Sequence, residues 1–412
     1  MRFDLVFEGG GAKGAAFAGA LRAFEEGGHT VGRLLGTSVG AITAALVAAG
    51  YTSAEILEAL SEKRDGRNVL TSLLAPPTPF TPDEIDASHI YALLQQIDIP
   101  LIPASMERKI DRFLAEWMAS QSTMRHIFAF IERGGWFSAD PLLEWLKLRL
   151  GSGTHAGKPR RYAELTLEQF RAETGTDVSF VASDVTSRSM LILNHRTAPD
   201  LPLAWAVRMS AGLPFVWPAA VWQESFGRYR GRDMQGHDIV DGGLLSNFPI
   251  ELFVSHDASV KSVMGEDASR HVVGLLLDAS LPVPGVERSA TPSGGFHLGQ
   301  LGVLPRFSDI IETTLGARDK VVAEALAPFM VNLPVGDHHL LAVPESITQV
   351  QITVVAGCAT HDLRARLVRE GRPTEASTAH PGHVVLVGRV HGKGPVPHGA
   401  QREGASVEHR AV

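Results

Sequence analysis

The stretches FDLVFEGGGAKG at residues 3–14 and VGRLLGTSVG at residues 31–40 decide the fold. In each, an apolar run enters a glycine-rich turn, and the turn is followed by a segment with helical spacing. The apolar runs predict strands, while Lys13–Glu26 and Ala41–Ala49 predict helices. A strand-turn-helix unit that occurs twice in succession builds a parallel sheet, so the sequence predicts an α/β fold.

Composition narrows the class of protein. The chain has 412 residues, of which 44% are hydrophobic and 20% are charged, so it can bury a large core and is not a disordered chain. A formal net charge of -7 argues against nucleic acid as the main partner. The single cysteine, Cys358, excludes a disulfide framework and a cysteine-cluster metal site.

The N-terminus lacks the features of a signal peptide, because Asp4 and Glu8 interrupt its apolar run. No stretch of about 18 uninterrupted apolar residues occurs, so we expect no transmembrane helix. The sequence therefore predicts a cytoplasmic protein, although leaderless secretion would leave no mark in the sequence.

The rest of the chain divides into three parts. Residues 51–177 are mostly helical in pattern and predict an insertion or cap in a domain that spans residues 1–371. Residues 372–412 are rich in glycine, proline and histidine and predict a disordered tail. Further strands are predicted at Val178–Ala182, Met190–Leu193, His271–Leu277 and Val350–Val355.

One helical segment carries an apolar stripe made of Ile110, Phe113, Leu114, Trp117 and Met118. Such a stripe is usually the face that a helix turns to the core, and we interpret it in that way. The alternative is a lid face that meets a membrane surface.

The first turn, GGGAKG at residues 9–14, can hold an anion, because its backbone N–H groups and the following helix N-terminus are close together. The anion is either a bound phosphate or an oxyanion formed during a reaction. The string also matches the dinucleotide-binding fingerprint, but Gly36-Thr37-Ser38 stand where that fold needs an acidic residue. It is not a P-loop, since Gly14 follows Lys13.

The second turn, Gly36-x-Ser38-x-Gly40, has the pattern of a nucleophile elbow between a strand and a helix. A serine on such a sharp turn exposes its hydroxyl, and side chains two residues away would collide. An ordinary α/β-hydrolase places several strands before the elbow, whereas Ser38 follows the second strand.

The third element is Asp241-Gly242-Gly243, which follows the apolar pair Ile239-Val240. On its own this string is typical of a turn. Residues 244–249 offer no matching hairpin partner, so the tip of a simple hairpin is not favoured.

Together, the glycine loop, the elbow serine and the late Asp-Gly-Gly resemble the patatin-like phospholipases. The resemblance covers residues 3–50 and 178–280 and includes three further segments, namely ASDVT at 182–186, MSAGLPFVWP at 209–218 and DGGLLSNFP at 241–249. It implies a three-layer α/β/α fold with a mostly parallel central sheet and a helical insertion.

The resemblance also implies a Ser-Asp dyad, in which Ser38 attacks an ester carbonyl and Asp241 accepts the serine proton and later activates water. The N–H groups of Gly10 and Gly11 would hold the oxyanion, with Gly9 shaping the turn.

Lys13 matches a basic residue of the family's loop and would orient the loop or meet a lipid phosphate. The implied substrate is a phospholipid, a lysophospholipid or another lipid ester, with transient contact to a membrane surface and no cofactor or metal. Neither the head group nor the need for a protein activator can be deduced. The other motif glycines that would shape the site are Gly14, Gly36, Gly40, Gly242 and Gly243.

Three alternatives stay open. A Ser-His-Asp triad is the commoner arrangement, and of the 17 histidines His237 lies four residues before Asp241. The glycine loop would also suit a dinucleotide-binding oxidoreductase. A non-catalytic lipid-binding protein on the same fold is the third alternative.

Overall fold

The computed structural model describes residues 1–64, 67–97, 102–266, 271–278, 280–281 and 326–335. The strand predicted at Val350–Val355, the tail predicted at 372–412 and Cys358 lie outside these residues.

Twelve strands occur in the described residues, and eight of them form one central sheet while the others form two short ribbons. The strands are β1 (Arg2–Phe7), β2 (Thr30–Thr37), β3 (Lys63–Arg64), β4 (Arg67–Asn68), β5 (Thr154–His155), β6 (Lys158–Pro159), β7 (Val178–Asp184), β8 (Ser189–Leu193), β9 (Ala220–Val221), β10 (Asp238–Asp241), β11 (Val272–Asp278) and β12 (Met330–Pro334).

The order of the central sheet is β12-β11-β1-β2-β7-β10-β9, and β8 also pairs with β7. The strands from β12 to β7 pair in parallel, whereas β8, β10 and β9 join in antiparallel fashion. The predicted α/β fold with a mostly parallel sheet is confirmed.

The described part of the chain contains thirteen α-helices, and nine of them lie between β2 and β7. The helices are α1 (Ala15–Glu26), α2 (Val39–Ala48), α3 (Ser53–Ser61), α4 (Val69–Ser72), α5 (Pro82–Asp86), α6 (His89–Leu94), α7 (Ala104–Ser120), α8 (Ser122–Arg133), α9 (Asp140–Leu150), α10 (Leu167–Thr174), α11 (Leu203–Ser210), α12 (Glu251–Val254) and α13 (Ala258–Met264).

Helices cover both faces of the sheet. Side chains alternate along β1, so Phe3, Leu5 and Phe7 join a core that includes α1, α2 and α11, whereas Val6 joins a second core. The second core packs against α12 and α13. The predicted three-layer arrangement is confirmed.

The strand β7 shows how distant segments are brought together. Its residues Phe180–Asp184 pair with β8 along one edge. On the other edge, β2 pairs in parallel as far as Thr37 opposite Val181, and β10 pairs antiparallel and ends with Asp241 opposite Ala182. The strands β2 and β10 therefore meet end to end along one edge of β7.

The apolar stripe predicted on α7 is mostly exposed. Phe113, Leu114 and Trp117 are exposed, and the buried side chains of the helix are Asp111, Ala115 and Ala119. The prediction that this stripe faces the core is wrong, because small side chains allow α7 to pack closely on its neighbours through the opposite face.

No helix in the described ranges is both long enough and apolar enough to cross a bilayer.

Candidate active site

Ser38 lies at a sharp turn between β2 and α2. Its backbone has φ 56° and ψ -125°, a conformation that non-glycine residues rarely adopt and that costs about 1–3 kcal/mol. The surrounding structure holds it there, since the Ser38 N–H is 3.2 Å from the carbonyl oxygen of Ser210 and 3.3 Å from its Oγ. The hydroxyl of Ser210 donates in turn to the carbonyl of Val181.

The two glycines of the elbow are sterically required. A Cβ on Gly36 would lie 2.3 Å from the carbonyl oxygen of Gly40, and a Cβ on Gly40 would lie 2.3 Å from that of Phe7. A side chain at Gly36 would push β2 away from α2, and one at Gly40 would push α2 away from the end of β1. The spacing seen in the sequence therefore reflects a close crossing of the backbone at the turn.

Asp241 ends β10 and is 1% exposed. Its Oδ1 accepts a hydrogen bond of 2.8 Å from the N–H of Gly243, while Oδ2 has no hydrogen-bond donor in the described structure. Burial raises the pKa of Asp241 to about 7, and the nearby Ser38 side chain, the Gly243 N–H and the charge of Arg208 oppose that rise. The structure thus brings Asp241 beside Ser38.

The glycine loop runs past the same serine. A Cβ on Gly9 would lie 3.0 Å from the Cβ of Ser38. The Gly9 N–H donates to the carbonyl of Asn247, and the Asn247 side chain donates back to the carbonyl of Gly9 at 2.9 Å. The hydrogen bonds of the described residues assign no protein acceptor to the N–H groups of Gly10 and Gly11. The contact that brings the loop against Ser38 is made by Gly9.

Lys13 and Gly14 belong to a 3₁₀ turn, Gly11–Gly14, that leads into α1. The side chain of Lys13 is half-buried. A Cβ on Gly14 would lie 2.3 Å from Cγ2 of Val39, so the glycine loop packs directly on the residue after Ser38. This contact couples the position of the loop to that of the elbow.

The glycines after Asp241 are also brought close to the sheet. A Cβ on Gly242 would lie 2.2 Å from the carbonyl oxygen of Val181. This crowding, together with the Gly243 N–H bond to the carboxylate, fixes the direction in which Asp241 points.

Arg208 is a residue that sequence reasoning missed. It lies on α11, is 3% exposed, and donates from Nη2 to the carbonyl of Pro218 at 2.7 Å. Its other terminal nitrogen, Nη1, has no hydrogen-bond acceptor in the described structure. Burial lowers the pKa of Arg208 to about 10, although Asp140 and Asp241 oppose the decrease. A lone cation in the otherwise apolar run LAWAVRM was the available signal.

His237 contacts Asp184, not Ser38 or Asp241. Its Nδ1 is 2.8 Å from Oδ2 of Asp184, and that carboxylate also accepts from Ser187. The structure therefore gives His237 a partner on β7, and a Ser-His-Asp triad around Ser38 is not assembled from it.

The described residues contain no group of three or more His, Cys, Asp or Glu side chains that could hold a metal ion.

A sequence model of the patatin-like phospholipases matches residues 5–254. The chain belongs to this family. The match includes the glycine loop, Ser38 and Asp241, and it supports a lipid ester hydrolase as the class of the protein.

One protein with detectable sequence similarity comes from Bacillus subtilis (strain 168). The uncharacterized protein YqhO is 32% identical over 259 residues, which are 61% of this chain and 67% of that protein.

Two solved structures are more distant. VipD from Legionella pneumophila gives a TM-score of 0.44 at 18% identity, with 88% of this chain and 66% of that chain covered. ExoU in complex with SpcU, from the type III secretion system of Pseudomonas aeruginosa, gives 0.35 at 18% identity, with 89% and 52% covered. The chain thus spans just under two thirds of the first and about half of the second.

Proposed function

We propose that the protein is a serine acyl hydrolase that cleaves the ester bonds of phospholipids or lysophospholipids through a Ser-Asp dyad. One observation supports the proposal: Ser38 and Asp241 come together where β2 and β10 end along one edge of β7, with Gly9 of the glycine loop against Ser38, in a chain that belongs to the patatin-like phospholipases.

In the acylation step, the Asp241 carboxylate accepts the Ser38 hydroxyl proton while Oγ bonds to the ester carbonyl carbon. The carbonyl electron pair moves to oxygen, and the N–H groups of Gly10 and Gly11 stabilise that charge. When the tetrahedral species collapses, the alcohol oxygen leaves with the proton from Asp241. The fatty acyl group remains as an ester on Ser38.

In the deacylation step, Asp241 takes a proton from water as the water oxygen bonds to the acyl carbon. Collapse of the second tetrahedral species breaks the bond to Ser38 Oγ, and Oγ recovers the proton from Asp241. The fatty acid is released, and the free enzyme is regenerated.

The environment of Asp241 suits this role. A general base works best when its pKa lies near the working pH, and burial raises the pKa of Asp241 to about 7. Because the base must be ionised to accept a proton, kcat/KM should rise with pH through a midpoint near 7.

We assign Lys13 to the phosphate of the substrate or to the orientation of the loop. Lys13→Met should raise KM for a phospholipid while leaving KM for an uncharged short-chain ester unchanged if it meets the phosphate. Equal effects on both substrates would indicate the loop-orienting role.

The test is labelling with a fluorophosphonate, followed by measurement of fatty acid release from a panel of phospholipids and lysophospholipids. Wild type should be labelled and active, and Ser38→Ala should be neither. The matched control is Ser262→Ala, since Ser262 is exposed and bonds only to the carbonyl of Ser259. Labelling that persists in Ser38→Ala would refute the nucleophile, and lipid binding without acyl release would favour a non-catalytic protein.

A further inference from the structure

The helix α7 (Ala104–Ser120) turns its largest apolar side chains outward. Met106, Phe113 and Trp117 are 57%, 65% and 45% exposed. With the half-buried Ile110, they are spaced by four, three and four residues, which places them on one stripe along the helix.

The opposite stripe fixes this orientation. Asp111, Ala115 and Ala119 are buried, and the two alanines share a core cluster with Ile90 of α6 and Phe128 of α8. A surface helix normally buries its large apolar side chains and exposes its polar ones. On α7 the buried side chains are mainly small, and large apolar side chains are exposed together with the charged ones, so the outward stripe is available to another surface.

The segments next to α7 in the sequence carry further exposed apolar side chains. Of the twelve large hydrophobic side chains that are exposed in the described structure, seven lie between residues 93 and 131. Single exposed apolar residues are normal on a protein, whereas an apolar stripe along one helix is typical of an interaction site. Besides those of the stripe, the seven include Leu93, Ile97, Leu114 and Ile131.

Charge indicates which kind of surface fits. Arg108 and Lys109 are exposed on the same helix, and Lys109 lies one turn before Phe113. Arg112 is also present but is engaged by Asp86 and Glu116. A stripe of Phe, Trp and Met beside basic side chains is the composition of helices that lie in the headgroup layer of an anionic bilayer. The chain as a whole is acidic, and α7 also carries Glu107, Asp111 and Glu116, so the attraction depends on the exposed Arg108 and Lys109 beside the stripe.

The helical layer that carries the stripe is bonded to the site. After α8 ends, the N–H of Trp136 donates to the carbonyl of Phe215 at 2.9 Å. Phe215 lies three residues after Gly212, whose carbonyl accepts the Asp241 N–H at 2.9 Å. The outward stripe and the candidate catalytic carboxylate therefore belong to one connected part of the molecule.

We propose that the outward stripe of α7, formed by Met106, Ile110, Phe113 and Trp117, docks the protein on the surface of an anionic phospholipid bilayer. Docking holds the enzyme at the surface from which its lipid is taken, a consequence that rests on the function proposed above.

The test measures sedimentation of the full chain with vesicles of phosphatidylcholine mixed with phosphatidylglycerol, and with vesicles of phosphatidylcholine alone. All proteins carry Ser38→Ala, so the result does not depend on hydrolysis. The double variant Phe113→Ser, Trp117→Ser should partition about tenfold or more weakly onto the mixed vesicles. The matched controls Leu148→Ser and Val221→Ser, each at a side chain that is 49% exposed, should bind like the parent.

A charge variant separates the electrostatic contribution to vesicle binding from the apolar contribution. Lys109→Glu should weaken binding to the anionic vesicles about fivefold or more and should leave binding to phosphatidylcholine alone unchanged. Equal binding of the double variant and its parent, or equal losses in the controls, would overturn the proposal. So would a fall in oligomer mass of the double variant by light scattering, because the stripe would then join two copies of the chain.

Failure of this proposal is distinguishable from failure of the proposed function. In the Ser38-containing protein, the double variant should hydrolyse a soluble short-chain ester at the parental rate while losing hydrolysis of vesicle phospholipid. If neither protein hydrolyses any ester, the function fails while the vesicle binding result stands on its own.

Discussion

Asp184 and Asp241 lie on the paired strands β7 and β10, each is 1% exposed, and their pKa values move in opposite directions. Burial raises the pKa of Asp241 to about 7. Burial would raise that of Asp184 too, yet hydrogen bonds from Ser187 and His237 hold its pKa below the usual value. Two carboxyl groups with the same low solvent exposure therefore differ in their proton affinity.

Two causes of the difference act together, since Asp241 lies deeper in the protein than Asp184 and also accepts fewer hydrogen bonds. Asp184 accepts from the N–H groups of Thr186 and Ser187, from the Ser187 hydroxyl at 2.5 Å and from His237. Asp241 has one short hydrogen bond, from the Gly243 N–H. Donors stabilise the ionised form, so Asp184 is a structural anion, whereas Asp241 is prepared to gain and lose a proton.

The largest expected effect follows from Asp241→Asn. This change keeps an acceptor for the Gly243 N–H but removes the proposed base, so turnover of a lipid ester should fall by about a thousandfold or more. The measurement is fatty acid release per molecule of folded protein. Full turnover by Asp241→Asn would end the dyad mechanism.

The same variant should be more stable than wild type at pH 8. The folded pKa of about 7 exceeds the ordinary value of 3.8 for an aspartate, so the wild type loses stability as the pH rises from about 4 to about 7. At about 1.4 kcal/mol per pH unit, the loss amounts to up to about 4 kcal/mol, and Asn avoids it. Urea unfolding at pH 4 and pH 8 should show the gap between the two proteins widening with pH, and a constant gap would contradict the raised pKa.

Asp184→Asn should have the opposite consequence. Removing a buried anion that accepts four hydrogen bonds should cost about 3 kcal/mol at pH 7 while leaving fluorophosphonate labelling of Ser38 intact. Because the pKa of Asp184 is lowered on folding, its contribution is lost as the pH falls through that pKa, so the deficit should shrink in acid. Asp184→Glu, which keeps the charge, serves as the control for volume.

Arg208 tests what sets the pKa of Asp241, because its positive charge opposes the rise that burial causes. Arg208→Met should move the midpoint of the kcat/KM profile to higher pH and lower activity about tenfold on the acid side of the profile, with little loss well above it. Arg208→Lys keeps the charge and should retain most of the wild-type profile. A uniform loss at every pH would mean that Arg208 acts only through packing.

The sequence predicted the local parts of this site well. Gly36 and Gly40 mark close backbone crossings, and Gly9 and Gly14 lie against side chains, so the glycine spacing of each turn is visible in a short window of sequence. That Ser38 and Asp241 act together was implied only by the resemblance. That β2 and β10 both pair with one edge of β7 depends on the register of distant strands and was not predicted. The roles of Ser210 and Arg208 were missed for the same reason.

The face of α7 could not be predicted from periodicity. The spacing of its apolar residues correctly indicates a helix with one apolar stripe, but it does not reveal which stripe the neighbours cover. Two small residues, Ala115 and Ala119, decided the outcome because they let α6 and α8 approach closely.

Substitution of His237 should have the smallest effect of these variants. It also distinguishes a Ser-Asp dyad from a Ser-His-Asp triad. His237→Ala removes one of the four donors to Asp184, so the free energy of unfolding should fall by about 1 kcal/mol. His237→Asn retains a donor of similar reach and should recover part of that loss. Since the imidazole contacts Asp184 and not the Ser38 site, the rate of fluorophosphonate labelling should match wild type in both variants. A labelling rate that falls a hundredfold in both variants would transfer the role of base from Asp241 to the histidine, because asparagine keeps a donor to Asp184 but cannot accept a proton. Asp241 would then be a buried carboxyl group with no proton to carry.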